Sequence, residues 1–149
     1  MIASADILFG NYRDISLVLG KEFSGEGADR RRAAAEAAFV RFERLQIIAS
    51  TARHVDDADR HRISARIDRR SEAVQTDEVV IAGIVDRIGA GDAFAAGILN
   101  GLQHGHSLAE VVHGGLALAV LKHSLPGDAS LFRQSDIDAF LSGVADVRR

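Results

Sequence analysis

The stretch DRIGAGDAFAAGILNGL, residues 86–102, places one carboxylate, Asp92, at the start of an uncharged segment that continues to residue 102. Gly89 and Gly91 lack Cβ atoms, so the backbone around Ala90 can turn tightly and bring its N–H groups close to a ligand. A helix beginning at Gly91 would direct unpaired N–H groups and the positive end of its dipole at the same point. The pattern therefore predicts a pocket for an anion, most often a phosphate group.

Asp92 is not explained by phosphate binding alone, because a carboxylate repels bound phosphates. A general base that takes a proton from an attacking hydroxyl, next to an anion hole, would explain it. The structural alternative is a tight left-handed turn in which Asp92 is the helix N-cap, and the tetrapeptide GAGD leaves both interpretations open. A dinucleotide-binding fingerprint is excluded because Phe94 stands where its third glycine is required, and no Walker motif is present.

The composition limits the classes of protein to which the chain can belong. Its 149 residues suit one domain or a large piece of one, and the absence of cysteine excludes disulfides and thiolate metal sites. A net charge of −3 with interspersed signs favours neither a nucleic-acid partner nor a membrane partner. The N-terminus does not have the pattern of a signal peptide, so we expect a soluble cytoplasmic protein.

Apolar periodicity predicts a layered α/β fold. Strands are predicted at residues 5–11 and 45–50, with three or four strands over 46–86, of which 62–70 has the alternation of a half-exposed strand. Helices are predicted at 14–20, at 29–45, from Gly91 (buried on most sides), from the Ser107/Glu110 capping box, and from residue 135. The apolar face of the last helix is expected to carry Ile137, Phe140, Leu141 and Val144.

Three segments together resemble the PfkB (ribokinase-like) family of sugar and nucleoside kinases. DRIGAGDAFAAGIL resembles the C-terminal family motif D-T-x-G-A-G-D-x-F, and ADILFGNYRD resembles a segment in which a strand delivers Asn and, three residues later, an acid. KHSLPGD, residues 122–128, is similar to a segment of the sugar-acid kinases in the family. The resemblance covers most of residues 3–144 and implies a ribokinase-like three-layer α/β/α fold with a mostly parallel sheet.

The resemblance implies an ATP-dependent kinase that phosphorylates a hydroxyl of a small-molecule sugar acid. Asp92 would be the general base, and the backbone N–H groups of Gly89, Ala90 and Gly91 would form the anion hole for the γ-phosphoryl group. Asn11 and Asp14 would arrange the Mg²⁺-bound phosphates through water, although Asp14 stands where Glu is commoner in the family.

The same resemblance places Thr51 near the nucleotide and His123 near the adenine pocket. Asp86 matches the family position that can hold a monovalent cation such as K⁺. Arg87 and Ile88 replace a frequent pair of threonines there, which removes a hydroxyl ligand from that cation site. A homo-oligomer of the full-length form is compatible with the resemblance.

Family members are substantially longer than this chain, and their N-terminal half carries the sugar site and the lid. The resemblance therefore implies that residues 1–149 are the C-terminal, nucleotide-binding half of a kinase domain, inactive by itself. Two alternatives stay open: another sugar or nucleoside kinase of the same family, or a non-catalytic nucleotide-binding fragment.

Two clusters of charged residues are explained by solvent exposure and do not require a ligand. The predicted helix at 29–45 has Arg30, Arg31 and Arg32 in its first turn, where cations oppose the helix dipole, and we interpret them as a solvated face. His54 and His61 lie among acids and arginines in a segment that we interpret as a solvated hairpin rather than a metal site.

Overall fold

The computed structural model describes residues 2–143, which form one mixed β-sheet between two layers of helices. Val144, expected on the last helix, lies outside the described residues. The strands are β1 (Ile7–Phe9), β2 (Ile47–Val55), β3 (Arg60–Asp68), β4 (Ala73–Gln75) and β5 (Val79–Ala82). The helices are α1 (Tyr12–Leu19), α2 (Gly27–Arg41), α3 (Ala90–Gln103), α4 (Leu108–Lys122) and α5 (Gln134–Leu141), and a 3₁₀ turn at Ile2–Ser4 precedes them.

The sheet is mixed, and the expectation of a mostly parallel sheet is wrong for the described strands. Only β1 and β2 pair in parallel, because the crossover through α1 and α2 returns the chain to the same end of the sheet. β2 and β3 form a hairpin, whose tight connection permits only antiparallel pairing. β4 and β5 pair antiparallel with the two halves of β3 on the side away from β2.

Each face of the sheet has its own apolar core. α1 and α2 cover one face, around Ala34, Ala38, Phe39 and Ile48. α3 and α4 cover the other, around Ile63, Ile67, Phe94, Ile98 and Val112. The sheet and the helices on its two faces form the predicted three-layer α/β/α arrangement. α5 packs against α4 through Ile137.

β3 is buried on both faces, so the expectation of a half-exposed strand is wrong. Its polar residues Ser64, Arg66 and Asp68, on the face opposite the core beneath α3 and α4, are buried as well. Arg66 donates two hydrogen bonds to Asp68, at 2.7 and 2.9 Å. Arg32 of α2 donates to the same carboxylate at 3.2 Å and to the Arg70 carbonyl at 2.7 Å, so Arg32 is not part of a solvated face.

α3 and α4 pack closely against each other. A Cβ atom on Gly97 would lie 2.8 Å from the Cα of Gly115, so side chains at this crossing would force the helices apart. α3 is buried on the sides that face α4 and the sheet, whereas its outer side is exposed, with Leu99 at 47%. The expectation of burial on most sides is therefore wrong for α3.

The predicted capping box at the start of α4 is present. The side chain of Ser107 accepts a hydrogen bond from the Glu110 N–H, and the Glu110 carboxylate accepts one from the Ser107 N–H at 2.8 Å. Within residues 2–143, no helix is long and apolar enough to cross a membrane.

Candidate active site

The GAGD turn forms the N-terminus of α3. Gly89 is its N-cap and has a left-handed backbone, with φ of 77°. The alternative in which Asp92 is the N-cap is therefore wrong. Asp92 lies in the first turn of α3 and is exposed, and its carboxylate has no hydrogen-bond partner among the described residues.

The N–H groups of this turn differ in their hydrogen bonding. The Ala90 N–H donates to the Arg87 carbonyl at 3.3 Å, a long hydrogen bond. Neither the Gly91 N–H nor the Asp92 N–H has an acceptor among the described residues, as expected in the first turn of a helix. The start of α3 therefore presents unpaired donors beside an exposed carboxylate.

The segment after α4 packs directly against this turn. A Cβ atom at Gly89 would lie 2.0 Å from the carbonyl oxygen of Asp128, so only glycine fits there. The N–H groups of Val85 and Asp86 donate to the His123 carbonyl at 2.9 and 3.3 Å. The structure therefore brings Asp86, Gly89 and His123 together in one packed unit.

The Asp86 carboxylate is held by backbone donors. Its two oxygens accept hydrogen bonds from the N–H groups of Ile88, at 3.0 Å, and Gly127, at 2.9 Å. These donors hold the pKa of Asp86 below its usual range.

The surroundings of Asp86 do not fit a monovalent cation. Ile88 has no side-chain oxygen to act as a ligand. The fully buried Lys122, which donates to the Leu125 carbonyl at 2.9 Å, already places a positive charge that acts on Asp86. We therefore derive no role for K⁺ at this position.

His123 ends α4 and is 2% exposed. Its Nδ1 lies 2.7 Å from the Ala119 carbonyl, which fixes the ring against the helix. Burial lowers the pKa of His123, and the nearby positive charges of Arg53 and Lys122 act in the same direction. His61 is itself 1% exposed, so the prediction of a solvated hairpin does not hold for that residue.

Asn11 and Asp14 form a capping box at the start of α1. The Asn11 side chain accepts a hydrogen bond from the Arg13 N–H at 2.8 Å, and one Asp14 oxygen accepts from the Asn11 N–H at 2.7 Å. The other Asp14 oxygen accepts no hydrogen bond from a described residue. Carboxylate and amide oxygens are ligand types that suit Mg²⁺ and its bound water.

Residues 2–143 contain no group of three or more His, Asp or Glu side chains arranged to hold a metal ion. Any Mg²⁺ at Asn11 and Asp14 would therefore need water and substrate phosphates as further ligands, which is the usual situation for this ion.

An aromatic contact joins the two helix N-termini. The rings of Phe9 and Phe94 meet edge to face, with centroids 6.4 Å apart. Phe9 lies two residues before Asn11, and Phe94 lies two residues after Asp92. Both helix starts therefore lie beyond the carboxyl end of β1, where open α/β sheets bind their ligands.

Thr51 lies in β2. Together with Asn11 it lines a cavity of about 250 Å³. Five arginines also line this cavity: Arg13, Arg30, Arg31, Arg53 and Arg66. We call it the arginine cavity. This cavity was not predicted from the sequence. The signal that could have indicated it is the arginine run in the first turn of α2, where cations oppose the helix dipole.

Comparison with known proteins identifies the family. Residues 1–133 match the pfkB family of carbohydrate kinases. The chain belongs to this family, which implies use of ATP.

Three proteins illustrate the similarity. The 2-dehydro-3-deoxygluconokinase of Bacillus subtilis (strain 168) is 36% identical over 67 residues, which are 44% of this chain and 21% of that protein. A crystal structure assigned as a 2-keto-3-deoxygluconate kinase from Enterococcus faecalis has a TM-score of 0.88 and 28% identity, covering 99% of this chain and 44% of that chain.

The 2-dehydro-3-deoxygluconokinase structure from Thermotoga maritima has a TM-score of 0.87 and 27% identity, covering 95% of this chain and 43% of that chain. The predicted ribokinase-like fold is thus confirmed. The chain spans less than half the length of each of these relatives.

Proposed function

We propose that residues 1–149 form the C-terminal, nucleotide-binding part of a kinase domain that transfers the γ-phosphoryl group of ATP to a hydroxyl of a sugar acid. The observation that carries this proposal is the start of α3, where the exposed Asp92 carboxylate lies beside N–H groups that have no acceptor among the described residues. A base and an anion-binding group adjacent to each other are what phosphoryl transfer to a hydroxyl requires.

In the proposed mechanism, Asp92 takes the proton of the acceptor hydroxyl as its oxygen forms a bond to the γ-phosphorus. The bond from that phosphorus to the β-bridging oxygen breaks, and ADP leaves with the electron pair. The N–H groups of Gly89, Ala90 and Gly91 are proposed to stabilise the charge on the transferred group, with the Ala90 N–H giving up its long hydrogen bond to the Arg87 carbonyl. Stabilisation of this kind is among the largest contributions to catalysis.

The remaining residues position the nucleotide. Asn11 and Asp14 orient the waters of a Mg²⁺ ion, which neutralises phosphate charge when it is bound. Thr51 contacts the phosphate chain, and His123 borders the adenine. Burial of His123 supports this role, because a buried and neutral imidazole is compatible with a neighbouring heterocyclic base.

The proposed acceptor is 2-dehydro-3-deoxy-D-gluconate, which would be converted to its 6-phosphate. The names of the relatives from B. subtilis, E. faecalis and T. maritima support this choice. The residues that contact the sugar are proposed to lie in the part of a complete kinase that is not aligned with this chain.

The test is an ATP-consumption assay on the complete kinase that carries this chain, with a panel of 2-dehydro-3-deoxygluconate, neutral hexoses, ribose and nucleosides. We expect the highest kcat/KM with the sugar acid. Preference for a neutral sugar or a nucleoside would contradict the proposed substrate, but it would still agree with a kinase activity. Absence of turnover with every acceptor, together with intact MgATP binding, would favour a non-catalytic nucleotide-binding protein.

A further inference from the structure

Lys122 is a fully buried lysine that the proposed mechanism does not use. It is the last residue of α4. Burial of an ammonium group is unfavourable unless other groups compensate its charge. No acid in the described part of the chain forms an ion pair with Lys122. A neutral residue at this position would avoid the cost of burying a charge.

The end of α4 compensates the charge of Lys122 in part. Nζ donates a hydrogen bond to the Leu125 carbonyl at 2.9 Å, and the Leu125 N–H donates to the Lys122 carbonyl at 3.1 Å. The negative end of the α4 dipole also favours a cation in the last turn. The side chain and the backbone of the lysine thus close a turn between α4 and the segment that follows it.

The segment after α4, which the lysine holds, is the one that packs against the GAGD turn. The Gly127 N–H donates to one Asp86 oxygen at 2.9 Å. The Asp128 carbonyl lies so close to Gly89 that a Cβ atom there would be 2.0 Å from the carbonyl oxygen. A displacement of this segment would therefore also displace the start of α3.

Asp86 lies on the other side of this contact and has the opposite charge. Its second oxygen accepts a hydrogen bond from the Ile88 N–H at 3.0 Å, just before α3 begins. The N–H groups of Ile88 and Gly127 hold the pKa of Asp86 below its usual range, and the charge of Lys122 acts in the same direction. Lys122 is buried, so solvent screens its attraction for Asp86 only weakly.

The resemblance to the family assigns Asp86 to a monovalent cation site, and two features of this chain disagree with that assignment. Ile88 has no side-chain oxygen, and Lys122 already supplies a positive charge close to Asp86. The ammonium group of lysine is a compact point charge with three donors, so oxygen atoms can surround it as they surround a metal ion. The Leu125 carbonyl is one such oxygen.

We infer that Lys122 is a positioning residue whose ammonium group acts in place of K⁺ and holds residues 125–128 against the GAGD turn. The inference rests on the proposed function, because it assigns that turn to phosphoryl transfer. Lys122 acts through the backbone of the turn and not on the reacting atoms. A covalently attached cation does not dissociate, so the complete kinase should need no added monovalent cation.

The first test compares monovalent cations in the complete kinase that carries this chain. KCl replaces tetramethylammonium chloride at constant ionic strength, and kcat and the thermal midpoint are measured. A cation that binds only the folded protein raises the midpoint. We expect neither quantity to change for the wild type. A saturable increase of either quantity with K⁺ would overturn the inference.

The second test removes the ammonium group with Lys122→Ala. In tetramethylammonium chloride, kcat should fall by about 10- to 100-fold, because a small displacement of catalytic groups has an effect of this size. KM for ATP should change less, since the anion hole acts mainly on charge that develops in the transition state. The matched control is Lys21→Ala, which removes the same charge from an exposed position after α1 and should behave like the wild type.

Chemical rescue separates the charge of Lys122 from its volume. Propylammonium contains the atoms that Lys122→Ala removes, so it should restore kcat and raise the thermal midpoint of this variant but not of the wild type. K⁺ should act in the same direction. The neutral isostere n-propanol should do neither. Restoration by neither cation, or equal restoration by n-propanol, would show that the lysine only fills space and would overturn the inference.

If Lys122→Ala does not fold, Lys122→Met replaces it. This variant keeps most of the volume without the charge and should fold, because an apolar residue in place of a buried charge is often neutral for stability. A wild-type kcat in Lys122→Met would overturn the inference. Absence of turnover by the wild type would instead contradict the proposed function, and the thermal midpoints in the same salts would still test the role of Lys122.

Discussion

At the scale of single residues, the GAGD motif at the start of α3 contains one residue that the fold requires and two that are available for chemistry. Gly89 is required by the fold, because its left-handed backbone and the Asp128 carbonyl leave no space for a side chain. Gly91 and Asp92 are exposed, and a Cβ placed on Gly91 would meet no atom within 4 Å outside its chain neighbours and its own helix backbone. These two positions are therefore the ones whose substitution tests chemistry rather than folding.

Replacing Asp92 with Asn in the complete kinase should lower kcat by about 10² to 10⁴, because the general base is lost. KM for ATP should change little, since removal of a negative charge does not weaken phosphate binding. Steady-state kinetics measures both constants. The control is Asp29→Asn, which removes an exposed carboxylate from the first turn of α2. A variant at Asp92 that keeps more than about half of the wild-type kcat would exclude general-base catalysis by this residue.

Gly89→Ala and Gly91→Ala should have opposite effects on stability. Gly89→Ala should lower the free energy of unfolding by at least about 2 kcal/mol, from backbone strain and the clash with Asp128. Gly91→Ala should raise it by up to about 1 kcal/mol, because alanine is favoured over glycine in a helix. Urea denaturation measures both.

Gly91→Ala should nevertheless weaken ATP binding, since the added methyl group hinders the approach of phosphate to the backbone. Calorimetry with MgATP tests this second effect in the complete kinase. An unchanged affinity for ATP would show that the turn does not contact phosphate.

At the scale of elements, α4 links the stability of the fold to pH through its C-cap residue, His123. Burial depresses the pKa of His123 in the folded state, so the unfolded chain protonates first, at about pH 6.5. The stabilising contribution of neutral His123 is thus complete above that pH and is lost as the pH falls through the folded-state pKa. We expect the thermal midpoint to fall between about pH 7 and pH 5.

His123→Asn should make that decline shallower, whereas His113→Asn should not. The two histidines are matched, since Nδ1 of each lies close to the carbonyl four residues earlier, at 2.7 Å for His123 and 2.8 Å for His113. They differ in burial, because His113 is exposed. Equal pH dependence in His123→Asn and wild type would assign the decline to other groups.

Elements whose signals are local were predictable from the sequence. The Ser107/Glu110 capping box and the left-handed Gly20 that ends α1 depend on residues within one helical turn. The GAGD turn was predicted for the same reason, and the catalytic role of Asp92 stays a prediction.

Features that depend on long-range contacts were not predictable. Arg32 reaches Asp68 across 36 positions, and this contact buries a strand face that the alternating pattern marks as exposed. The arginine cavity likewise needs the start of α2 to meet β2 and β3. Neither contact leaves a periodic signal in the sequence, since each depends on how the layers stack.

At the scale of the whole molecule, the described sheet has an unpaired edge at β1. β1 has β2 as its partner, and no other described strand pairs with it. Phe9, at the end of this strand, is 39% exposed. An edge with unpaired backbone groups and nearby apolar surface favours association with other chains.

The 149-residue chain alone should therefore self-associate and should not phosphorylate 2-dehydro-3-deoxygluconate. Positioning of the acceptor contributes about 7–11 kcal/mol to such reactions, and no described residue is assigned to hold the sugar. Light scattering measures the mass, and a coupled ADP assay measures turnover, with the complete kinase as control. A monomer that turns over like the complete kinase would contradict both expectations.

The close approach of Gly89 to the Asp128 carbonyl has a consequence for how the sequence can evolve. Selection for a folded chain is enough to retain Gly89, whatever the chain does, because every other residue collides with that carbonyl. A paralogue that has lost phosphoryl transfer should therefore keep this glycine and drift at the exposed Asp92. Across a set of paralogues, the residue at position 92, rather than the glycine at 89, should distinguish those that still catalyse phosphoryl transfer from those that have lost it.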